Sequence, residues 1–226
     1  MERNELVLLR LSNQYLLHAG ERMRVLCAMN GFQAQFLSNA LHAMRLRSTA
    51  YDTAHAADSL VKSWTLRGTM HIFAEADLPL FLHTGCRYRS RDWTVPSFWN
   101  QRPNWALTPK RQAYFSDLII DALAQGPMTR EALKARCRAA GMTQAEEGSI
   151  FHPWGGGIRE LCERGFLCGT VSEEKAFRLC PAFTPMEEQD ALLEQTRRYF
   201  TNYGPASVRD AAYYFGSSQA EIEKRL

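Results

Sequence analysis

The sequence has no apolar run near the roughly 20 residues that a membrane span takes. Its opening, Met1-Glu2-Arg3-Asn4-Glu5, mixes charges of both signs and lacks the basic start and apolar stretch of an export signal, so a cytoplasmic address is expected. Cysteine spacing is equally uninformative for metal. Cys27, Cys86, Cys137, Cys162, Cys168 and Cys180 contain no C-x-x-C pair and none lies at ligand spacing from a histidine, which argues against zinc and iron–sulfur sites. Several fall within apolar patterns, as buried reduced thiols do. The net charge of +3 over 226 residues is too small to argue for nucleic acid by itself. The glycine run Gly155-Gly156-Gly157 has no strand leading into it and no P-loop lysine after it, so it carries no nucleotide fingerprint. A phosphate met by backbone N–H groups and a plain loop are both open there.

What is present is helical periodicity interrupted by short extended segments. Leu6 to Leu11 is an apolar opening run, and Ser12 is placed to cap a short helix carrying Tyr15, Leu16 and Leu17. A helix is expected over 21–29, closed by Asn30-Gly31, and another from about Ser38 to Arg47 with Leu37, Ala40, Leu41 and Met44 facing a core. A further helix is expected through Ala56, Leu60 and Val61. A strand over 64–72 follows, with Leu66, Met70 and Ile72 on one face and Arg67, Thr69 and His71 on the other.

Residues 86–110 form an irregular, aromatic-rich connector holding Trp93, Trp99 and Trp105. A second unit, 111–186, has a helical stripe from Phe115 to Leu123, a Thr129-capped helix, a third helix ending at Gly165, and strands over 166–171 and 176–180 around Ser172-Glu173-Glu174-Lys175. Gly204-Pro205-Ala206-Ser207 then repeats Gly126-Pro127-Met128-Thr129. The reading is a mainly α chain with short β-hairpins (α+β) in tandem winged helix-turn-helix units. A first unit covers 1–85, and 187–226 is read as the start of a third, incomplete one.

Gln33-Ala34-Gln35 concentrates the chemical interest. In an extended segment both amides share a face while Ala34 turns inward. Each amide offers one carbonyl acceptor and two N–H donors, so a pair can hold one water or clasp one base edge. The same spacing fits a polar helix face or a helix cap. Arg45 and Arg47, and Arg87, Arg89 and Arg91 interleaved with Tyr88 and Trp93, suit phosphate contact and stacking as well as they suit a solvated face. His71 fits either a DNA-facing group or a histidine hydrogen-bonded within the fold.

The opening Leu9-Arg10-Leu11-Ser12-Asn13-Gln14, the Gln33-Ala34-Gln35 turn, Trp64-Thr65-Leu66-Arg67-Gly68-Thr69-Met70-His71 and Tyr203-Gly204-Pro205-Ala206-Ser207-Val208-Arg209-Asp210 together resemble the AlkZ-like winged-helix DNA glycosylases of bacteria. The resemblance implies tandem winged helices around duplex DNA, excision of bulky alkylated purines and, in some members, unhooking of interstrand cross-links. It places a catalytic pair on Gln33 and Gln35; the related YcaQ-like branch has aspartate at the second position. It also puts the arginine–glycine–threonine–x–histidine strand on Arg67, Gly68, Thr69 and His71.

The resulting expectation is a DNA repair glycosylase acting as a monomer on double-stranded DNA with alkylated purines, nucleoid-associated when bound. It would need no cofactor, metal or membrane. Its catalytic residues would be Gln33 and Gln35. Its DNA-binding residues would be Arg45, Arg47, Arg67, Thr69, His71, Arg87, Arg89 and Arg91. Two alternatives differ in class: a non-enzymatic winged-helix regulator, and an inactive module for a protein partner. The segment Ile158-Arg159-Glu160-Leu161-Cys162-Glu163-Arg164-Gly165, with two acids and two arginines, is poor for groove reading and disfavours the regulator.

Overall fold

Tyr15, Gly31, Gly141, Gly165 and Gly216, each just past a helix, take up a left-handed backbone, as Arg67 and Gly68 do between two strands. In the computed structural model, which describes residues 2–172 and 174–226, eleven α-helices and six short strands make a mixed α/β fold. Two compact units divide it. The first comprises the residues up to Gly85 together with Phe183–Leu226, and the second is Cys86–Ala182. No helix among the described residues is long and apolar enough to cross a membrane.

In the first unit α1 spans Arg3–Asn13, one continuous helix through the apolar opening run. The expected helix carrying Tyr15, Leu16 and Leu17 is absent, because Tyr15 adopts a φ of 59° just beyond the helix end. α2 (Arg22–Ala28) starts at Glu21, whose carboxylate accepts from the Met23 and Arg24 backbone N–H groups. β1 (Phe32–Gln33) and α3 (Leu37–Arg47) follow.

The expected helix through Leu60 and Val61 and the strand over 64–72 are both corrected. Residues Leu60–Trp64 form β2 and Met70–Ala74 form β3, an antiparallel hairpin. The reversal comes from Arg67 and Gly68, with φ of 53° and 63°, a pair of left-handed residues that no continuous strand accommodates. β3 is central, with β1 on one side and β2 on the other. Helix α4 (Leu78–Phe81) comes next, and α9 (Glu188–Tyr203), α10 (Val208–Phe215) and α11 (Gln219–Glu223) complete the unit.

The second unit runs α5 (Pro109–Leu123), β4 (Met128–Thr129), α6 (Arg130–Ala139), α7 (Gln144–Ile150), α8 (Gly156–Glu163), β5 (Leu167–Gly169) and β6 (Ala176–Leu179). β6 pairs antiparallel with both β4 and β5. Thr129 caps α6 as its position in the sequence requires, accepting from the Ala132 N–H at 3.2 Å. Glu173, in the expected turn, and Met1, in the expected first unit, lie outside the described residues.

The glycine run is tightly packed. Gly155, Gly156 and Gly157 are buried, and a Cβ on Gly156 would lie 2.2 Å from the Ser149 carbonyl oxygen. Trp93 and Trp99 are buried core aromatics.

Candidate functional site

The glutamine segment is fixed at both ends by the backbone. Asn30 and Gly31, with φ of 56° and 76°, turn the chain out of α2. At Gly31 a Cβ would come within 2.5 Å of the Ile72 carbonyl oxygen, so glycine is required there. Phe32 then pairs with Ile72 and Gln33 with His71, and the Ala34 N–H donates to the Met70 carbonyl at 2.7 Å. Side chains consequently alternate: Phe32 and Ala34 are buried, Gln33 and Gln35 exposed. Two amides emerge on one edge with a buried methyl between them. Phe36, the next residue, is 68% exposed.

His71 faces Gln33 across one strand boundary and Ser63 across the other. Its imidazole is 5% exposed, and burial pushes its pKa down to about 4, so it is neutral near pH 7. Nδ1 lies 3.0 Å from the Thr69 carbonyl oxygen, which only accepts, so Nδ1 carries the proton. Nε2 keeps its lone pair and has no hydrogen bond among the described residues.

The expected polar face of Arg67, Thr69 and His71 is not one strand face. Arg67 is exposed in the hairpin turn with its guanidinium 5.8 Å from the Tyr214 ring centroid. The Thr69 hydroxyl donates to the Leu66 carbonyl at 3.1 Å.

Arg45 is exposed in the last turn of α3. Arg47 is half-buried, donates to the Ala43 carbonyl and lies over the Phe32 ring at 5.5 Å, bracing the strand that carries Gln33. Arg87, Arg89 and Arg91 belong to the second unit. Arg89 stacks over Tyr88 and Phe166; Arg91 stacks over Phe166 and pairs with Asp117. Arg87 is exposed. Among the described residues no cluster of three or more His, Cys, Asp or Glu is arranged to hold a metal ion.

Sequence reasoning missed what holds the turn from behind. The Asn30 amide donates to the Gln195 carbonyl at 3.0 Å, and the Tyr203 hydroxyl to the Met29 carbonyl at 3.1 Å. Arg198 donates to the Cys27 carbonyl and bidentately to the buried Asp77 at 2.7 and 2.9 Å. All three partners come from α9 and reach the C-terminal end of α2. Their helical spacing of three to five residues was the available signal, but it reads equally as an ordinary amphipathic helix.

A family model described as DNA glycosylase AlkZ-like matches residues 26–226. The interstrand DNA cross-link repair glycosylase of Streptomyces sahachiroi is 29% identical over 195 residues, which are 79% of this chain and 50% of that protein. The chain thus spans about half the length of the curated relative it matches. The solved structure of Streptomyces sahachiroi DNA glycosylase AlkZ superposes with a TM-score of 0.73 at 22% identity, covering all of this chain and 64% of that one, a likeness of fold.

Proposed function

The chain belongs to the DNA glycosylase AlkZ-like family, and from that premise we propose that it hydrolyses the N-glycosidic bond of N7-substituted purines in double-stranded DNA, with water positioned by Gln33 and Gln35. The observation that carries this reading is the exposed amide pair on a turn pinned by Gly31, β3 and α9.

A purine alkylated at N7 bears a formal positive charge and leaves readily, so the reaction depends less on deprotonating water than on placing it beside an electron-poor sugar carbon. Positioning alone lowers such a barrier substantially. Amide oxygens also offset positive charge developing at the sugar. His71, kept neutral and paired with Gln33 across the strands, adds no cation there.

An amide pair on an exposed edge suits a base tethered to the opposite strand, which cannot swing into a closed pocket. Unhooking of interstrand cross-links is the corresponding extension of the activity. The second unit runs helix, short strand, three helices and hairpin, and the first runs two helices, short strand, one helix and hairpin; we read both as winged helices docking on duplex DNA. Arg45, Arg67 and Arg87 then supply exposed phosphate contacts.

The regulator reading finds less support. In α8 the residues Ile158, Glu160, Leu161 and Cys162 are buried, and Arg159 pairs with Glu163 and Arg164 with Glu160. A helix so engaged offers little to a groove.

Base release from a duplex bearing one N7-methylguanine, read as cleavage at the resulting abasic site, tests the proposal. Wild type should release the base, and Gln33→Ala and Gln35→Ala should each lower the single-turnover rate by about 10² or more, the loss typical of removing one preorganised polar group. Equal rates in a Gln35→Ala variant remove that residue from the mechanism.

A further inference from the structure

A concavity lies in the first unit, a pocket of about 500 Å³ between the hairpin turn, α1 and the helices α9 and α10. That volume falls in the range of small-molecule sites. Three guanidinium groups line it: Arg10, Arg67 and Arg209. Arg10 uses Nε and Nη2 on the Pro205 carbonyl at 3.0 and 2.7 Å. Arg67 lies over the face of Tyr214, and Arg209 makes no hydrogen bond among the described residues, though its charge acts on the Asp210 carboxylate.

The pocket's one carboxylate, Asp210, is committed to the Ser207 N–H and hydroxyl at 2.9 and 2.8 Å, capping α10. Asp210 offsets part of the charge of Arg10 and Arg209 beside it, and three guanidinium groups against one carboxylate still leave the lining net positive. Aromatic faces complete the lining. Tyr213 is 80% exposed, while Tyr203 and Tyr214 sit deeper, their hydroxyls kept protonated by burial. The Tyr203 hydroxyl also bonds the Met29 carbonyl, so the pocket wall and the approach to the glutamine turn are one piece.

A net positive lining beside an exposed aromatic ring suits an anion attached to a flat π-system. We propose that this pocket takes a single nucleotide of the DNA drawn out of its stack, its phosphate on Arg10, Arg67 and Arg209 and its base against Tyr213. The proposal rests on the reading that the chain acts on DNA. It adds a place for a displaced nucleotide apart from the one whose glycosidic bond meets the glutamines.

Binding, with no chemistry involved, tests it. Fluorescence anisotropy compares a labelled duplex carrying one unpaired thymidine with the fully paired duplex, across a salt series. Wild type should favour the bulged duplex. Tyr213→Ala should lower affinity for it on the order of tenfold while leaving the paired duplex unchanged, and Tyr213→Phe should retain the preference. Arg209→Ala should reduce the slope of log K against log salt by about one phosphate contact.

Equal affinity of wild type for the two duplexes overturns the proposal. So does a preference that survives Tyr213→Ala, or an unchanged salt slope in Arg209→Ala. A preference that Tyr213→Ala abolishes, in a protein that releases no base, supports the pocket and overturns only the hydrolytic reading.

Discussion

Burial of His71 makes the stability of the first unit depend on pH in a defined window. An ordinary histidine titrates at 6.5, and in the folded chain this one is pushed down to about 4. Desolvation is the main cause; the hydrogen bond to the Thr69 carbonyl opposes it and the nearby Arg67 charge adds to it. Between those two values the unfolded chain binds a proton that the folded chain refuses. Stability therefore falls as pH drops through the window and is fully present only above pH 6.5.

Taking both values into the linkage relation, His71 alone should cost about 2 kcal/mol between pH 7 and pH 5, and about 3 kcal/mol once pH is below 4. Urea unfolding at pH 7 and pH 5, followed by far-ultraviolet circular dichroism, measures the drop. His71→Gln serves as the reference, because His83, whose pKa burial also lowers, is present in both proteins and cancels. The wild type should lose about 2 kcal/mol more than the variant over this interval. Equal losses in the two proteins refute the assignment of a buried, neutral His71.

Two further outcomes follow from the turn and its anchors. Gly31→Ala places a methyl against the Ile72 carbonyl at a φ of 76°, and should destabilise the unit by roughly 1–3 kcal/mol, seen as a lowered melting temperature. Arg198→Met leaves Asp77 buried without its bidentate partner and should cost about 3–5 kcal/mol in urea unfolding; Arg198→Met with Asp77→Leu should recover much of the loss.

Helices with a polar cap and a one-sided apolar stripe were legible in the sequence: α6 behind Thr129, α10 behind Ser207, and α5 with Phe115, Ile119, Ala122 and Leu123 facing inward. The hairpin β2–β3 was not. In Leu60-Val61-Lys62-Ser63-Trp64 residues on both faces are buried, so no period-2 alternation appears and the run reads as helix continuation. Its turn is made by Arg67, a residue type that seldom adopts a positive φ. The helix α7 was also missed, although Thr143 and Glu146 form a capping box on its first turn.

At the candidate site, the outward pairing of Gln33 and Gln35 followed from a glycine stop and an extended segment, both local features. The burial of His71 did not, because it depends on flanking strands that sequence spacing cannot bring together. The anchors from α9 lie some 165 positions away in sequence from the turn they hold.

Those distant anchors matter for the chemistry proposed. Glutamine side chains carry several rotatable bonds, and amides are weak acids and bases, so a glutamine pair contributes only through where it holds water and how its dipoles point. Such a site gains little unless the backbone beneath it is immobile. Here the close approach of Gly31 to Ile72 leaves no room for a side chain, β3 fixes the register, and Asn30, Tyr203 and Arg198 tie the end of α2 to α9. His71 completes the arrangement by what it withholds. A protonated imidazole beside Gln33 would oppose positive charge growing on a sugar, and burial removes that proton at working pH. A carboxylate at the same place would stabilise the sugar cation more strongly, but it would also hold a cationic alkylpurine by direct attraction in the ground state. In the reaction proposed, a neutral pair would discriminate by geometry, and rigid support is what geometry requires.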